Sequence, residues 1–244
     1  MYDRPELEEV HDRFWGEIRG ALRERDISAP DMLSRDLTEV AVWTNPGLVL
    51  SQTYGMPYRL WLHKNVDFVG TPDYGLEGCP RGYYRSVFVA RRDDPRKGLR
   101  DFADSIFAYN DQQSQSGFNA PLLHVNKQGF AFGEFLCTGQ HRESGRSVAD
   151  GRADLASLDA MTWRNIQAFD EFAGALKEVE FTKPTPGLPL VTAKGNDGHL
   201  IFDAVSKAIE SLSALDRTTL GICGLVAIPE ETYFSVPISA EVRG

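Results

Sequence analysis

The chain reads as an α/β protein built in layers, and three features of its sequence say so. Short apolar runs of four to eight residues alternate with longer amphipathic stretches, each run closed by glycine, proline or a small polar residue. No internal repeat or low-complexity linker breaks that alternation. At 244 residues the chain suits one compact body or two linked lobes rather than two independent domains.

Taken in order, Leu7, Val10, Phe14, Ile18 and Leu22 recur at three- and four-residue steps between charged positions, which predicts an amphipathic helix over residues 5 to 25. Asn45-Pro46-Gly47 then punctuates the chain. LVLSQT predicts a strand, the following glycine a turn, and MPYRLWL a helix. VDFVG predicts a strand ending at Thr71, and YYRSVFVA a buried strand after the turn-rich loop PDYGLEGCPRG. A charged helical segment follows Asp94-Pro95 and leads to the strand SIFAY. GEFLCT and ADLASLD predict strands, HRESGRSVADG a helix stopped at Gly151. In AMTWRNIQAFDEF the inward positions are Met161, Ile166 and Phe169. KPTPGLPLVTA, with three prolines, must be extended. The last long helix, residues 198 to 215, buries Ile201, Val205, Ile209 and Leu212. The alternation predicts mostly parallel strand pairing.

Several function classes drop out on composition. A net charge of -9, with 26 basic against 35 acidic residues and no basic stripe, argues against nucleic acid as a partner. No segment approaches the roughly 18 apolar residues of a membrane span. Cys79, Cys137 and Cys223 stand too far apart for a zinc site or a disulfide framework, so no metal or other cofactor is expected. MYDRPELEEV is charged from its third residue and lacks the apolar core of an export leader.

The candidate site lies in AYNDQQSQSGFNAP, residues 108 to 121, where seven polar residues, Asn110 to Ser116, run without a lysine or arginine. In an α/β sheet ligands sit where strands give way to helices. Ser114 is placed to cap the next helix, which turns the amides of Gln115, Ser116 and Gly117 outward. Amides, hydroxyls and the helix dipole together make an anion cradle without a formal cation. The plainer alternative is a capped helix start and nothing more.

The string SQSGFNAP resembles the Ser-x-Ser-Gly-aromatic-x-x-Pro segment of phosphonate and phosphite binding proteins of ABC importers, the PhnD-like group. LVLSQTYGMP, VGTPDYGLEGCPRGYYRSVFVAR, FLCTGQHRESGRSVADGRADLASLDAMTWR and PTPGLPLVTA are similar to segments of that family in the same order, over roughly residues 1 to 195. The resemblance implies a type 2 periplasmic-binding-protein fold: two α/β lobes, joined by strands crossing near YYRSVFV and TPGLPLV, with a ligand cleft between them. The implied division is lobe 1 over residues 1 to 84, lobe 2 with the cradle over 85 to 187, and a return to lobe 1 over 188 to 244. It also implies that Ser114, Gln115, Ser116 and Gly117 hold the ligand's oxyanion, that His141 faces the same anion, and that Asp159 meets a ligand amine. Gln52, Thr53, Tyr54 and Tyr74 lie in matching loops of the other lobe.

A carboxylate beside a bound phosphonate is unfavourable unless a cation intervenes, so Asp159 favours a zwitterion such as an aminoalkylphosphonate. Its alternative role is a helix cap or a partner for Arg164; that of His141 is a helix-start histidine. The implied function is capture of a small phosphonate-like oxyanion for an ABC permease, in the periplasm if a leader has been removed and in the cytoplasm otherwise. An enzyme is the competing class, with Ser116, His141 and Asp159 as a triad. GxSxG, HExxH and a P-loop are all missing from the sequence. A ligand sensor or a thiamine-pyrimidine precursor protein on the same fold completes the alternatives.

Overall fold

The computed structural model describes residues 1–242. A 3-10 turn leads into α1 (Glu8–Arg23), then α2 (Glu39–Trp43), β1 (Ser51–Gln52), α3 (Gly55–Leu60), β2 (Val66–Asp73), β3 (Tyr83–Tyr84), β4 (Ser86–Arg91) and β5 (Ile106–Tyr109). A π-turn, Gln115–Asn119, runs into α4 (Ala120–Lys127), followed by β6 (Glu134–Cys137), α5 (His141–Ala149), β7 (Leu155–Asp159), α6 (Ala160–Phe169), β8 (Leu176–Phe181) and β9 (Thr185–Pro186). The chain closes with β10 (Leu190–Ala193), α7 (Gly198–Ser211), α8 (Ala214–Leu220), β11 (Gly224–Val226) and α9 (Glu230–Phe234).

These elements form two units, the first made of Met1–Tyr83 and Pro186–Ser235, the second of Tyr84–Thr185 and residues 236–242. Unit 1 has a four-stranded sheet in the order β1-β10-β2-β11, and unit 2 a five-stranded sheet in the order β6-β5-β7-β4-β8. β3 and β9 pair with each other in a separate short ladder.

Unit 1 is organised by an apolar stripe that starts at Leu7 in the 3-10 turn and continues along α1, setting Leu7, Val10, Trp15, Ile18, Ala21 and Leu22 against Ile201, Val205 and Ile209 of α7. These are the period-3.6 faces that the sequence predicts for both helices. Unit 2 buries both faces of its sheet. Phe88 and Phe107 pack with Phe102, Phe118 and Leu122 on one side. Val87, Val89, Ala156 and Leu158 pack with Val148 and Ile166 on the other.

The pairing is not mostly parallel. β5 runs parallel to β6 and β7, but β4 is antiparallel to β7 and β8, and β2 is antiparallel to β10 and β11. Both faces of the central strands are buried, so their residues alternate no polarity and carry no record of direction.

Four local expectations also change. β2 runs on to Asp73 because its last three residues pair with β11, and LVLSQT yields only Ser51–Gln52 as strand. The segment after Asp94-Pro95 forms only a short 3-10 turn, Leu99–Phe102. The Lys177 ammonium binds the carbonyls of Asp94 and Arg96, and the Asp94 carboxylate takes the Arg96 amide, so groups that a helix needs are already engaged. Phe169 is 39% exposed at the end of α6, where Asp170 leaves helical geometry, and Trp163 and Asn165 join Met161 and Ile166 inside instead. No helix among the described residues is long and apolar enough to cross a membrane.

Candidate functional site

β5 delivers the chain to the polar stretch, and Ser114, in extended geometry, closes it as a helix cap: its Oγ accepts the Gly117 amide at 3.0 Å. The next turn is wider than an α-helix, with the amides of Phe118 and Asn119 both reaching the Ser114 carbonyl, at 3.3 and 2.9 Å. This is a π-turn, an irregularity frequent at functional positions. Of the three amides expected to point outward, that of Gly117 is therefore spent on the cap, because a capping oxygen takes an amide of the first turn. The Ser116 amide has no acceptor among the described residues.

Two bonds fix Ser116 from the sheet side. The Ser157 hydroxyl, inside β7, donates to the Ser116 carbonyl at 2.8 Å, and Ser116 Oγ lies 3.0 Å from His141 Nε2. His141 begins α5, and burial pushes its pKa down to about 4, against a weaker upward pull from the Ser157 carbonyl. The imidazole is neutral near pH 7, so the Ser116–His141 pair can turn either a donor or an acceptor toward a ligand. The hydrogen bonds of Ser114, Ser116 and Gly117 run to one another, to the same turn, to the Asp111 carbonyl, to His141 and to Ser157, and among the described residues none involves a lysine or arginine. Gly117 is required sterically: a Cβ there would sit 1.8 Å from Asn110 Oδ1 and 3.1 Å from His141 Cε1.

Gln115 contributes differently from its neighbours. Its side chain is buried, and its Oε1 accepts from Asn119 Nδ2 at 2.9 Å, which turns the amide oxygen toward the far side of the turn. Asp159, at the end of β7, is 3% exposed, and its Oδ1 accepts the amides of Met161 and Thr162 at 2.7 and 2.9 Å. The carboxylate is an N-cap of α6, where the helix dipole favours it. It does not orient His141, so a Ser-His-Asp relay is not assembled.

The remaining candidates lie in unit 1. Gln52 Nε2 donates to the Leu188 carbonyl at 3.0 Å and sits 3.4 Å from the Tyr74 hydroxyl. Both residues line a cavity of about 660 Å³ together with Phe14, Trp15, Leu33 and Leu50, and no cradle residue borders it. The Thr53 amide donates to the Pro189 carbonyl, and its buried Oγ1 has no partner among the described residues. Tyr54 stands just before α3; its hydroxyl donates to Glu39 Oε1 at 2.9 Å, and its ring meets Trp43 edge-on.

The structure thus gathers Ser114, Ser116, Gly117 and His141, sets Asp159 two residues beyond Ser157, and pairs Gln52 with Tyr74. Sequence reasoning missed Ser157, Asn110 and Asn119. Asn110 was visible as the start of the polar run, whereas Ser157 is masked by the apolar strand around it.

Two α/β units, with a capped turn at a strand's carboxyl end, define the class: a type 2 periplasmic-binding-protein fold. The family model described as ABC transporter, phosphonate, periplasmic substrate-binding protein matches residues 63–221, and the chain belongs to that family. The family is one of transporter binding components, not enzymes. Among solved structures, PhnD1 from Prochlorococcus marinus in complex with methylphosphonate is 15% identical, with 95% of this chain and 91% of that chain covered and a TM-score of 0.69. XAC2383 from Xanthomonas citri, bound to ATP, is 16% identical over 97% and 94% of the two chains, with a TM-score of 0.67. A binding protein component of an ABC phosphonate transporter from Pseudomonas aeruginosa is 14% identical over 95% and 80%, also at 0.67. At such identities the likeness establishes the fold. No curated protein sequence matches the chain.

Proposed function

We propose that this chain captures a small phosphonate-like oxyanion on the cradle formed by Ser114, Gln115, Ser116, Gly117 and His141, and hands it to an ABC permease for import. The observation that carries the proposal is the capped π-turn itself: its Ser116 amide lacks an acceptor among the described residues, and its Ser116 hydroxyl is held by a neutral histidine. Donors of this kind, at the head of a helix and without a formal charge, suit a tetrahedral oxyanion. The family membership and the methylphosphonate carried by PhnD1 support the same ligand class. Gln115 enters the cradle through its backbone, since its side chain is turned to Asn119.

The finer reading is an aminoalkylphosphonate. Asp159 keeps a buried carboxylate just past Ser157, and an ammonium on the ligand would balance that charge near the bound anion. Gln52, Thr53, Tyr54 and Tyr74 belong to the proposal as further ligand contacts, with the lobe division at residues 84 and 187 and a periplasmic setting.

Isothermal titration calorimetry on unfolded, refolded and ligand-stripped protein tests both levels. Methylphosphonate, phosphite, phosphate and 2-aminoethylphosphonate are titrated into the wild type, Ser116→Ala and Asp159→Asn. The expected result is binding of phosphonates that weakens about tenfold or more in Ser116→Ala, the loss of one hydrogen bond to a charged group. Wild-type-like affinity in that variant refutes the cradle. A loss in Asp159→Asn confined to 2-aminoethylphosphonate supports the amino ligand, and equal losses for methylphosphonate refute it.

A further inference from the structure

The turn that carries the cradle is held from its far side by the end of the chain. Asn119, the last residue of the π-turn, is wholly buried. Its Nδ2 donates to Gln115 Oε1 and to the Pro237 carbonyl, both at 2.9 Å, while its Oδ1 accepts the Ser239 amide at 2.8 Å. A backbone carbonyl can only accept and a backbone amide can only donate, so Pro237 and Ser239 fix which end of the Asn119 side chain is which. That choice in turn presents a donor to Gln115. The same segment is anchored further along α4, where Asn126 Nδ2 donates to Glu241 Oε1 at 3.3 Å and Val242 packs against the cluster of Phe88, Leu122 and Val125.

We infer that Asn119 is a positioning residue through which the segment 236–242 sets the geometry of the anion cradle, an inference that rests on the ligand site proposed above. A π-turn carries one more residue than the α-helical turn it replaces, and it persists where contacts outside the helix hold it. Here those contacts are the Ser157 hydroxyl on the Ser116 carbonyl and the Asn119 clamp on Pro237 and Ser239. With the clamp released, the Asn119 amide can return from the Ser114 carbonyl to that of Gln115, the ordinary α pattern. Ser116 and Gly117 then rotate about the helix axis, and Ser116 Oγ leaves His141 Nε2.

The test compares Asn119→Ala and Asn119→Asp with Asn126→Ala in the full chain. Asn119→Asp keeps the acceptor for the Ser239 amide and loses both donations. Asn126→Ala loosens the same segment at a point away from the cradle, so it reports what a merely structural role would do. Two readouts are taken: methylphosphonate affinity by calorimetry, and amide hydrogen exchange over residues 114 to 118 without any ligand.

Both Asn119 variants are expected to bind methylphosphonate about tenfold more weakly and to exchange the 114–118 amides faster, while Asn126→Ala matches the wild type in both. In the Ser116→Ala background, Asn119→Ala is expected to cost much less affinity than alone, because the two act on one site. Unchanged exchange over 114–118 in folded Asn119→Asp overturns the inference whatever the ligand proves to be. Faster exchange with no methylphosphonate binding by the wild type leaves the clamp standing and refutes the ligand reading instead. Equal losses in Asn119→Ala and Asn126→Ala overturn it as well.

Discussion

Replacing Gly117 by alanine is the sharpest probe of how closely the cradle is packed. Gly117 has no left-handed backbone geometry to lose, so the new methyl group acts by contact alone. That methyl would stand 1.8 Å from Asn110 Oδ1, 3.0 Å from Asn110 Cγ and 3.1 Å from His141 Cε1. The first distance is roughly 1.5 Å short of an ordinary carbon-to-oxygen contact. Asn110 must therefore swing away, with His141 crowded from the other side. Overpacking of this kind costs about 1–3 kcal/mol, and alanine's better helix propensity returns up to about 1 kcal/mol.

A net loss of about 1–2 kcal/mol follows, a fall in Tm of roughly 2–8 °C for a chain of this size. Urea unfolding of four proteins measures it: wild type, Gly117→Ala, Asn110→Ala and the double variant. Asn110 Oδ1 is buried without a partner among the described residues, so Asn110→Ala alone should be near neutral. In its background Gly117→Ala should change sign and stabilise by several tenths of a kcal/mol. Destabilisation of the same size in both backgrounds would refute the steric account.

Three further outcomes are expected. The folded-state pKa of His141, about 4, lies below its usual 6.5, so between those values the unfolded chain binds the extra proton. Stability should therefore fall by up to about 3 kcal/mol as pH drops from 6.5 to 4, and urea unfolding should show that slope flattened in His141→Gln. Tyr233→Phe in unit 1 leaves the Thr71 hydroxyl and the Gly187 carbonyl without their buried partner, a loss of about 1–3 kcal/mol measurable by thermal unfolding. Asp159→Ala removes the acceptor for two amides of α6 and should cost about 1 kcal/mol or somewhat more, whichever ligand binds.

Much of this architecture is legible in the sequence, and the rest is hidden for physical reasons. α1 and α7 announce themselves because one face of each meets a core, and a helical period survives in Leu7, Val10, Ile18 and in Ile201, Val205, Ile209. β8 does not, because Lys177, Glu178 and Glu180 give an edge strand a charged, nondescript pattern. Ser114 as a cap follows from residue type and position alone. Asp159 is legible in two ways, as a ligand partner and as a cap, and the geometry fills the second role. Asn119 could not be found, since its partners Pro237 and Ser239 stand more than a hundred positions along the chain and bind through backbone groups that any residue possesses. Local chemistry is written locally; a clamp between distant segments is not.

The cradle's lack of a formal cation bears on how fast an anion can reach it. The chain carries a net charge of -9, and the imidazole at the cradle is neutral near pH 7, so an approaching dianion meets a long-range repulsion that the partial positive charge of the turn's amides offsets only at short range. Encounter should accelerate as ionic strength rises, the reverse of a site built on arginine, because salt screens a barrier here instead of an attraction. If the proposed cradle is the binding site, it trades speed at low salt for tolerance of brine, and its discrimination among anions falls to shape and hydrogen-bond count.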